Sequence, residues 1–317
     1  MGAVTRTEGG AQESDRAPGL ERELKVRKNW QMALSRFRHN GPAMAGLIVA
    51  LFTIVVALIA PLVAPYDPAA TDFVNINAWP NAKHFFGTDG SGADIFSITI
   101  LSLRTSYIVA IITQVITLVA GMAVGMSAGY FGGWVDGVLS RLIDVLFSFP
   151  NILVAILIAG TFGVPMYQRF GPAGRLYLTV GALSLFNWAG LARVIRGEVL
   201  RLREQTYVDA SIASGARGGW IITHHMLPNL MGIAAVLSSL GVGFAFTLEA
   251  VLSYLGLGVT APTPSLGRLI QAGQVYIDPF WYQFVFPAVV LAIMVLAYAF
   301  IGDGLRDALD PRSQQQY

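Results

Sequence analysis

The chain has 317 residues, of which 54% are hydrophobic and only 13% charged, with a formal net charge of +2. A soluble domain carries roughly a quarter charged residues, so this composition excludes an ordinary soluble protein and predicts an integral membrane one. With no cysteine, disulfides and thiolate metal sites are excluded, and the four histidines do not fall in a metalloprotease spacing.

The first 42 residues are polar and rich in arginine and lysine. Disorder is expected up to about residue 20. Residues 21–39 fit either a solvated basic tail or a basic amphipathic helix with Leu24, Trp30 and Leu34 turned to the membrane interface. The first apolar run begins too far in for a cleaved secretory signal. Residues 43–64 form the first span, since about 20 apolar residues cross the hydrocarbon core, and the basic stretch before it predicts a cytoplasmic N-terminus. Residues 66–103 read as an external segment of turns and short helices. Asp89 and Asp94 there read as turn-capping residues, because the calcium-loop spacing is missing.

Residues 105–128 form the second span, in which Gly121, Gly125 and Gly129 repeat every four residues and predict close helix packing. A return at 129–136 leads into a third span at 138–159, kinked at Pro150, with Asp144 expected to pair with Arg141 one turn earlier. An external loop at 161–175 and a fourth span at 176–194 follow. The polar stretch 198–229 then predicts a short helix over 204–214, a stop at Gly215, a second short helix from Trp220, and entry to the next span at Leu227-Pro228. Arg193, Arg196, Arg201, Arg203 and Arg217 place this stretch inside. The fifth span covers 230–256, a proline-rich external loop 260–282, and the sixth span 284–301. The reading is therefore an all-α membrane protein with six transmembrane helices and cytoplasmic N- and C-termini. It divides into a basic region 1–42, the first span with its external segment 43–104, the main transmembrane domain 105–306 and a tail 307–317.

After Lys28 the only lysine is Lys83, which no glycine-rich phosphate loop precedes, so this chain does not hydrolyse ATP itself. It shows no catalytic nucleophile, no metal triad and no cofactor site, and nothing that reads as a nucleic-acid partner. Glu249 is the one acid deep in a span, where a charge costs on the order of 3 kcal/mol by insertion scales. It must face protein or water. Two roles stay open: a group on the translocation pathway or at a gate, or a buried carboxyl bonded to Ser253 one turn on or to a neighbouring helix. Asn187, beside Trp188 in the fourth span, is a further polar candidate for the pathway or for bundle packing.

Several motifs carry a family resemblance. In the 198–229 stretch an acid, two small residues, a glycine six after the acid and a Leu-Pro pair occur as Asp209, Ala210, Ser211, Gly215, Leu227 and Pro228. This resembles the cytoplasmic coupling loop of ABC-importer permeases, whose usual Glu-Ala-Ala is Asp-Ala-Ser here. The segments H-F-F-G-T-D-G-S-G-A-D (84–94), G-Y-F-G-G-W-V-D (129–136), R-L-I-D-V-L-F-S-F-P (141–150), R-V-I-R-G-E-V-L (193–200), L-S-Y-L-G-L-G-V-T-A-P-T-P-S-L-G (252–267) and G-D-G-L-R-D-A-L-D-P-R (302–312) are similar to the dipeptide, oligopeptide and nickel branch. The resemblance covers about residues 84–312. It implies the type I ABC importer permease fold, in the prokaryotic plasma (inner) membrane, and the second permease of a heteromeric importer. The solute implied is a dipeptide or oligopeptide, with nickel or another small solute as the alternative. An ATP-independent carrier or channel would leave the coupling loop unexplained. The resemblance also implies a partner permease, two ATPase subunits that use ATP and magnesium, and an external solute-binding protein, with membrane lipid around this chain. The coupling-loop residues are then Glu204, Tyr207, Asp209, Ala210, Ser211, Ile212, Ala213, Gly215, Leu227 and Pro228.

Overall fold

The computed structural model of the protein describes residues 29–309. Within them six helices are long and apolar enough to cross a membrane. They are α2 (Gly41–Val63), α3 (Ile95–Phe131), α5 (Asn151–Phe170), α6 (Pro172–Arg203), a rod formed by α8 (Gly218–Ile221) running on into α9 (Leu227–Tyr254), and α12 (Tyr282–Leu309). Shorter helices are α1 (Asn29–His39), α4 (Gly133–Phe147), α7 (Thr206–Ala213), α10 (Leu266–Gln274) and α11 (Ile277–Phe280). The expectations for Leu24, for the first 28 residues and for the Trp30 side chain lie outside the described residues, as do those for residues 310–317.

The outward faces of the long helices are greasy: Leu58 and Leu62 on α2 are 74% and 87% exposed. The inward faces are built from small residues, because in lipid it is close packing, and not escape from water, that brings helices together. On α2 the buried set is Ala43, Gly46, Ala50, Thr53, Ala57 and Ala60, a three-four alternation that forms one stripe. A β-carbon at Gly46 would lie 2.6 Å from the Ala297 carbonyl oxygen of α12, so the two backbones are nearly in contact. Thr53 and the Tyr107 hydroxyl share a hydrogen bond of 2.7 Å that ties α2 to α3.

The glycine repeat on α3 faces α6, in the most extensive helix pairing of the fold. A β-carbon at Gly125 would lie 2.6 Å from the Ala192 carbonyl oxygen, and one at Gly129 would lie 2.7 Å from the Val199 side chain. At 37 residues α3 is about 55 Å long and outreaches a hydrocarbon core of about 30 Å.

Four expectations are corrected. The third span is Asn151–Phe170, and the apolar run before it is a separate helix, α4. Proline disfavours a helical residue before it and donates no hydrogen bond, so the chain extends at Pro150 (ψ 117°) and a new helix starts; Pro150 offers its carbonyl to Leu153 and Val154. The expected loop at 161–175 is helical except at Gly171, whose φ of 62° makes the tight reversal, with Pro172 opening α6. Asp144 pairs with Arg193 on α6 at 2.9 Å instead of with Arg141.

The last correction concerns the second short helix after Gly215, which is the beginning of the fifth span. Residues Gly218–Ile221 pass through one π turn, Ile222–Met226, into α9 without a break. The π turn sits where Pro228 would otherwise press on the preceding turn; the wider ring relieves that clash and lets the Leu227 N–H reach the Ile222 carbonyl.

The molecule has two distinct ends. One carries α1, α7 and the close of α12: Phe37 of α1 packs on Ala43 and Ala308, the Asn40 side chain caps α2 and reaches Asp307, and Leu309 lies against Gly232. The other carries residues 64–94 and 255–281, joined by hydrogen bonds from Tyr282 to the Ala78 carbonyl and from Gln283 to Asn77. In that segment Asp89 and Asp94 act as turn and helix caps, Asp94 accepting from the Ser97 N–H at 2.8 Å and pairing with His84.

Candidate functional site

The stretch between α6 and α9 folds into a short helix lying across the end of the bundle. α6 continues to Arg203 because ion pairs carry it past the apolar region: Arg196 grips both oxygens of Asp136 on α4, and Arg201 pairs with Glu198. The hydrogen bonds from Arg196 hold the Asp136 carboxyl below the usual carboxylate range. At the exposed Glu204 the chain leaves α6, and α7 begins after Gln205.

α7 sends one fully buried side chain into the core, from its first turn. Val208 is fully buried in a cluster with Val199, Leu202, Ile221 and Met226, so the helix is pinned between the end of α6 and the start of the fifth span. Val208 and Ile212 are apolar and one turn apart, but only Val208 points inward; Ile212 is 52% exposed. Asp209, Ala210, Ala213 and Gly215 are exposed with it, Tyr207 is partly so, and Ser211 is half-buried. The outer surface is therefore small, apolar and edged by one acid.

The helix ends in a Schellman cap. Gly215 has φ 81°, its N–H bonds to the Ile212 carbonyl, and the Ala216 N–H reaches the Ser211 carbonyl. Leu227 is half-buried and Pro228 exposed within the rod, so this pair sets the π turn and does not join the outer face of α7.

One contributor lies outside the coupling-loop residues that the resemblance picks out. His225 stands beneath α7, bonded through Nε2 to the Ser211 hydroxyl at 3.1 Å, with ring centroids 5.6 Å from Tyr207 and 5.0 Å from Trp220. It braces the back of α7 against the rod. Its neighbour His224 stacks on Trp220 on another side of the helix, so the two histidines share no ligand.

Residues 121–315 match the family described as the binding-protein-dependent transport system inner membrane component. The chain belongs to that family. Residues 28–80 further match the N-terminal transmembrane domain of oligopeptide transport permease C. Among curated relatives, the oligopeptide transport system permease protein OppC of Bacillus subtilis is 37% identical over 283 residues, covering 89% of this chain and 90% of the relative. OppC of Haemophilus influenzae is 36% identical over 296 residues, covering 93% and 92%. The dipeptide transport system permease protein DppC of Bacillus subtilis is 37% identical over 283 residues, covering 89% and 85%.

This inner membrane component is a multi-pass permease with the type I importer fold, a non-catalytic subunit. Its buried carboxyl is fully enclosed by its own chain. Glu249 has no exposed surface and accepts hydrogen bonds from Ser253 at 2.8 Å, from Ser265 at 3.0 Å and from Ser106 at 3.1 Å. Ser253 also accepts from the Val259 N–H at 3.2 Å. The carboxyl thus joins α9 to α3 and to the loop that leads into α10. Asn187 is half-buried on α6 and takes no part in this network.

Proposed function

We propose that this permease forms half of the translocation pathway of an ATP-driven importer for dipeptides or oligopeptides, and that α7 is its coupling helix. The observation that carries this reading is the outer face of α7: Ala210, Ile212 and Ala213 lie free of the chain's own core while Val208 anchors the helix from behind. An exposed small apolar helix face fits a helix-in-groove contact. The peptide substrate is inferred from the relatives, which are oligopeptide and dipeptide transport permeases. The coupling-loop end faces the cytoplasm in this reading, and the end carrying residues 64–94 and 255–281 faces outward. A partner permease, two ATPase subunits and an external solute-binding protein complete the assembly, since a two-ATPase engine needs two docking loops and this chain supplies one.

Co-expression with the neighbouring permease, ATPase and binding-protein chains tests the reading. The expected result is an assembled complex whose proteoliposomes accumulate a labelled tripeptide only with ATP inside the ATPase compartment. ATP-independent uptake by the permeases alone would reject it.

The cap gives a second test. A β-carbon at Gly215 would meet no neighbouring atom within 4 Å, so the main cost of valine is the left-handed backbone, about 1–2 kcal/mol. Gly215→Val is expected to lower uptake with unchanged membrane levels, while Gly215→Asn, which tolerates this conformation, stays near wild type. Equal uptake by both variants would show that the cap does not matter for coupling.

A further inference from the structure

At the end of the bundle opposite α7, the end of α5, the start of α6 and the segment leading from α9 into α10 line an open hollow of about 420 Å³. Arg175 and Arg268 line it, together with Tyr167 and Thr260, and no acidic residue does. The ion pairs among the described residues involve neither arginine. Two guanidinium groups therefore share one hollow without a counter-charge, an arrangement that an anion would relieve.

The two cations are placed differently. Arg175 is fixed: Nη1 donates to the Leu257 carbonyl at 3.3 Å, and the guanidinium packs over Gly163, where a β-carbon would come within 2.6 Å of Cζ. Its Nε is covered yet makes no hydrogen bond, and the covered Thr260 hydroxyl likewise has no partner. Covered polar groups are normally satisfied, and each one left without a partner costs free energy that a ligand can restore. The wall that holds Leu257 and Thr260 is itself rigid, because the Leu257 and Gly258 N–H groups both bond to the Leu252 carbonyl and Glu249 fixes Ser265. Arg268, in the first turn of α10, lines the same hollow and also borders the neighbouring one that holds Asp89, with which it forms no ion pair.

We propose that this cavity is an anion subsite that takes the terminal carboxylate of the transported peptide, with Arg175 as the fixed donor, Arg268 as the second cation and Thr260 as a hydroxyl donor. Guanidinium matches a carboxylate in charge and in planar, two-point geometry. The inference rests on the peptide-importer reading and deepens it.

The test compares uptake of one tripeptide with uptake of its C-terminal amide, which lacks the charge, by the complete reconstituted importer. The ratio of free acid to amide is the readout, so a change in the amount of active complex cancels. Arg268→Gln and Arg175→Gln are each expected to lower the ratio about tenfold, as loss of a charge-assisted hydrogen bond predicts, with Arg268→Lys falling less. Thr260→Val gives a smaller fall in the same direction and carries the test with Arg268→Gln if the Arg175 variant does not assemble. A ratio unchanged in Arg268→Gln and Thr260→Val overturns the inference while leaving peptide import intact. Unchanged ratios with weakened affinity for the solute-binding protein would assign the anion to an acidic side chain of that protein, and would also overturn it. A wild-type importer that accumulates neither form rejects the peptide reading itself.

Discussion

Glu249→Leu is expected to prevent stable assembly of the permease, whereas Glu249→Gln is expected to assemble and lose little. The carboxyl is the acceptor for three serine hydroxyls that have no access to water. Leucine fills the space but leaves all three donors without it, and each orphaned buried group costs about 1–3 kcal/mol. The sum approaches the total stability of a typical domain, about 5–15 kcal/mol. Glutamine keeps one oxygen as acceptor, and its amide can donate to a rotated serine hydroxyl, so its cost is nearer that of a single altered hydrogen bond, about 1 kcal/mol. Thermal unfolding of the purified complex, with protease sensitivity of the 255–265 loop, reads the difference. If Glu249→Leu is as stable as wild type but transports nothing, the carboxyl acts on the solute path and the structural role is wrong.

The six spans were legible because lipid demands about 20 apolar residues per crossing, and that signal survives in composition alone. The glycines at 121, 125 and 129 were legible for the same reason: four-residue spacing of small residues has one physical use in a lipid bundle, and the α3–α6 seam shows it. The alanine stripe on α2 carries the same information through Ala50, Thr53 and Ala57, but less openly, because alanine is also an ordinary helix former. Boundaries failed where an apolar run continued across a break. In residues 138–159 apolar side chains continue on both sides of the break, and the backbone preference of Phe149 before Pro150 divides α4 from α5.

The candidate site shows a different limit. The short helix and its stop followed from residue pattern, and Gly215 adopts the backbone that a cap needs. What residue pattern could not show was which side of an eight-residue helix is held. Val208 and Ile212 are one turn apart and equally apolar, and their separation into anchor and outer surface depends on Ile221 and Met226, which arrive from a rod that runs on through a π turn. The serine donors around Glu249 were half legible: Ser253 is one helical turn away, but Ser106 and Ser265 come from distant parts of the chain.

Ala210→Trp is expected to uncouple the ATPase subunits while leaving the permease itself folded. Ala210 is exposed, so a larger side chain has room in the isolated subunit and disturbs none of the cluster that anchors Val208. Inside a groove shaped for a small helix face the same side chain must displace its surroundings, and overpacking of this kind costs about 1–3 kcal/mol. That corresponds to roughly a five- to hundredfold loss of docking affinity, at tenfold per 1.4 kcal/mol. Asp209→Lys separates shape from charge. At a wet rim the reversal is expected to change docking less than the tryptophan does, and against a basic wall of the groove it is expected to change it more. Co-purification of the ATPase subunits and solute-stimulated ATP hydrolysis give the two readings, with detergent-resistant membrane levels of the permease as the control for folding. Unaltered co-purification and hydrolysis in Ala210→Trp would mean that α7 does not enter a groove, and the mechanical link between this subunit and its engine would have to be sought elsewhere on the same end of the bundle.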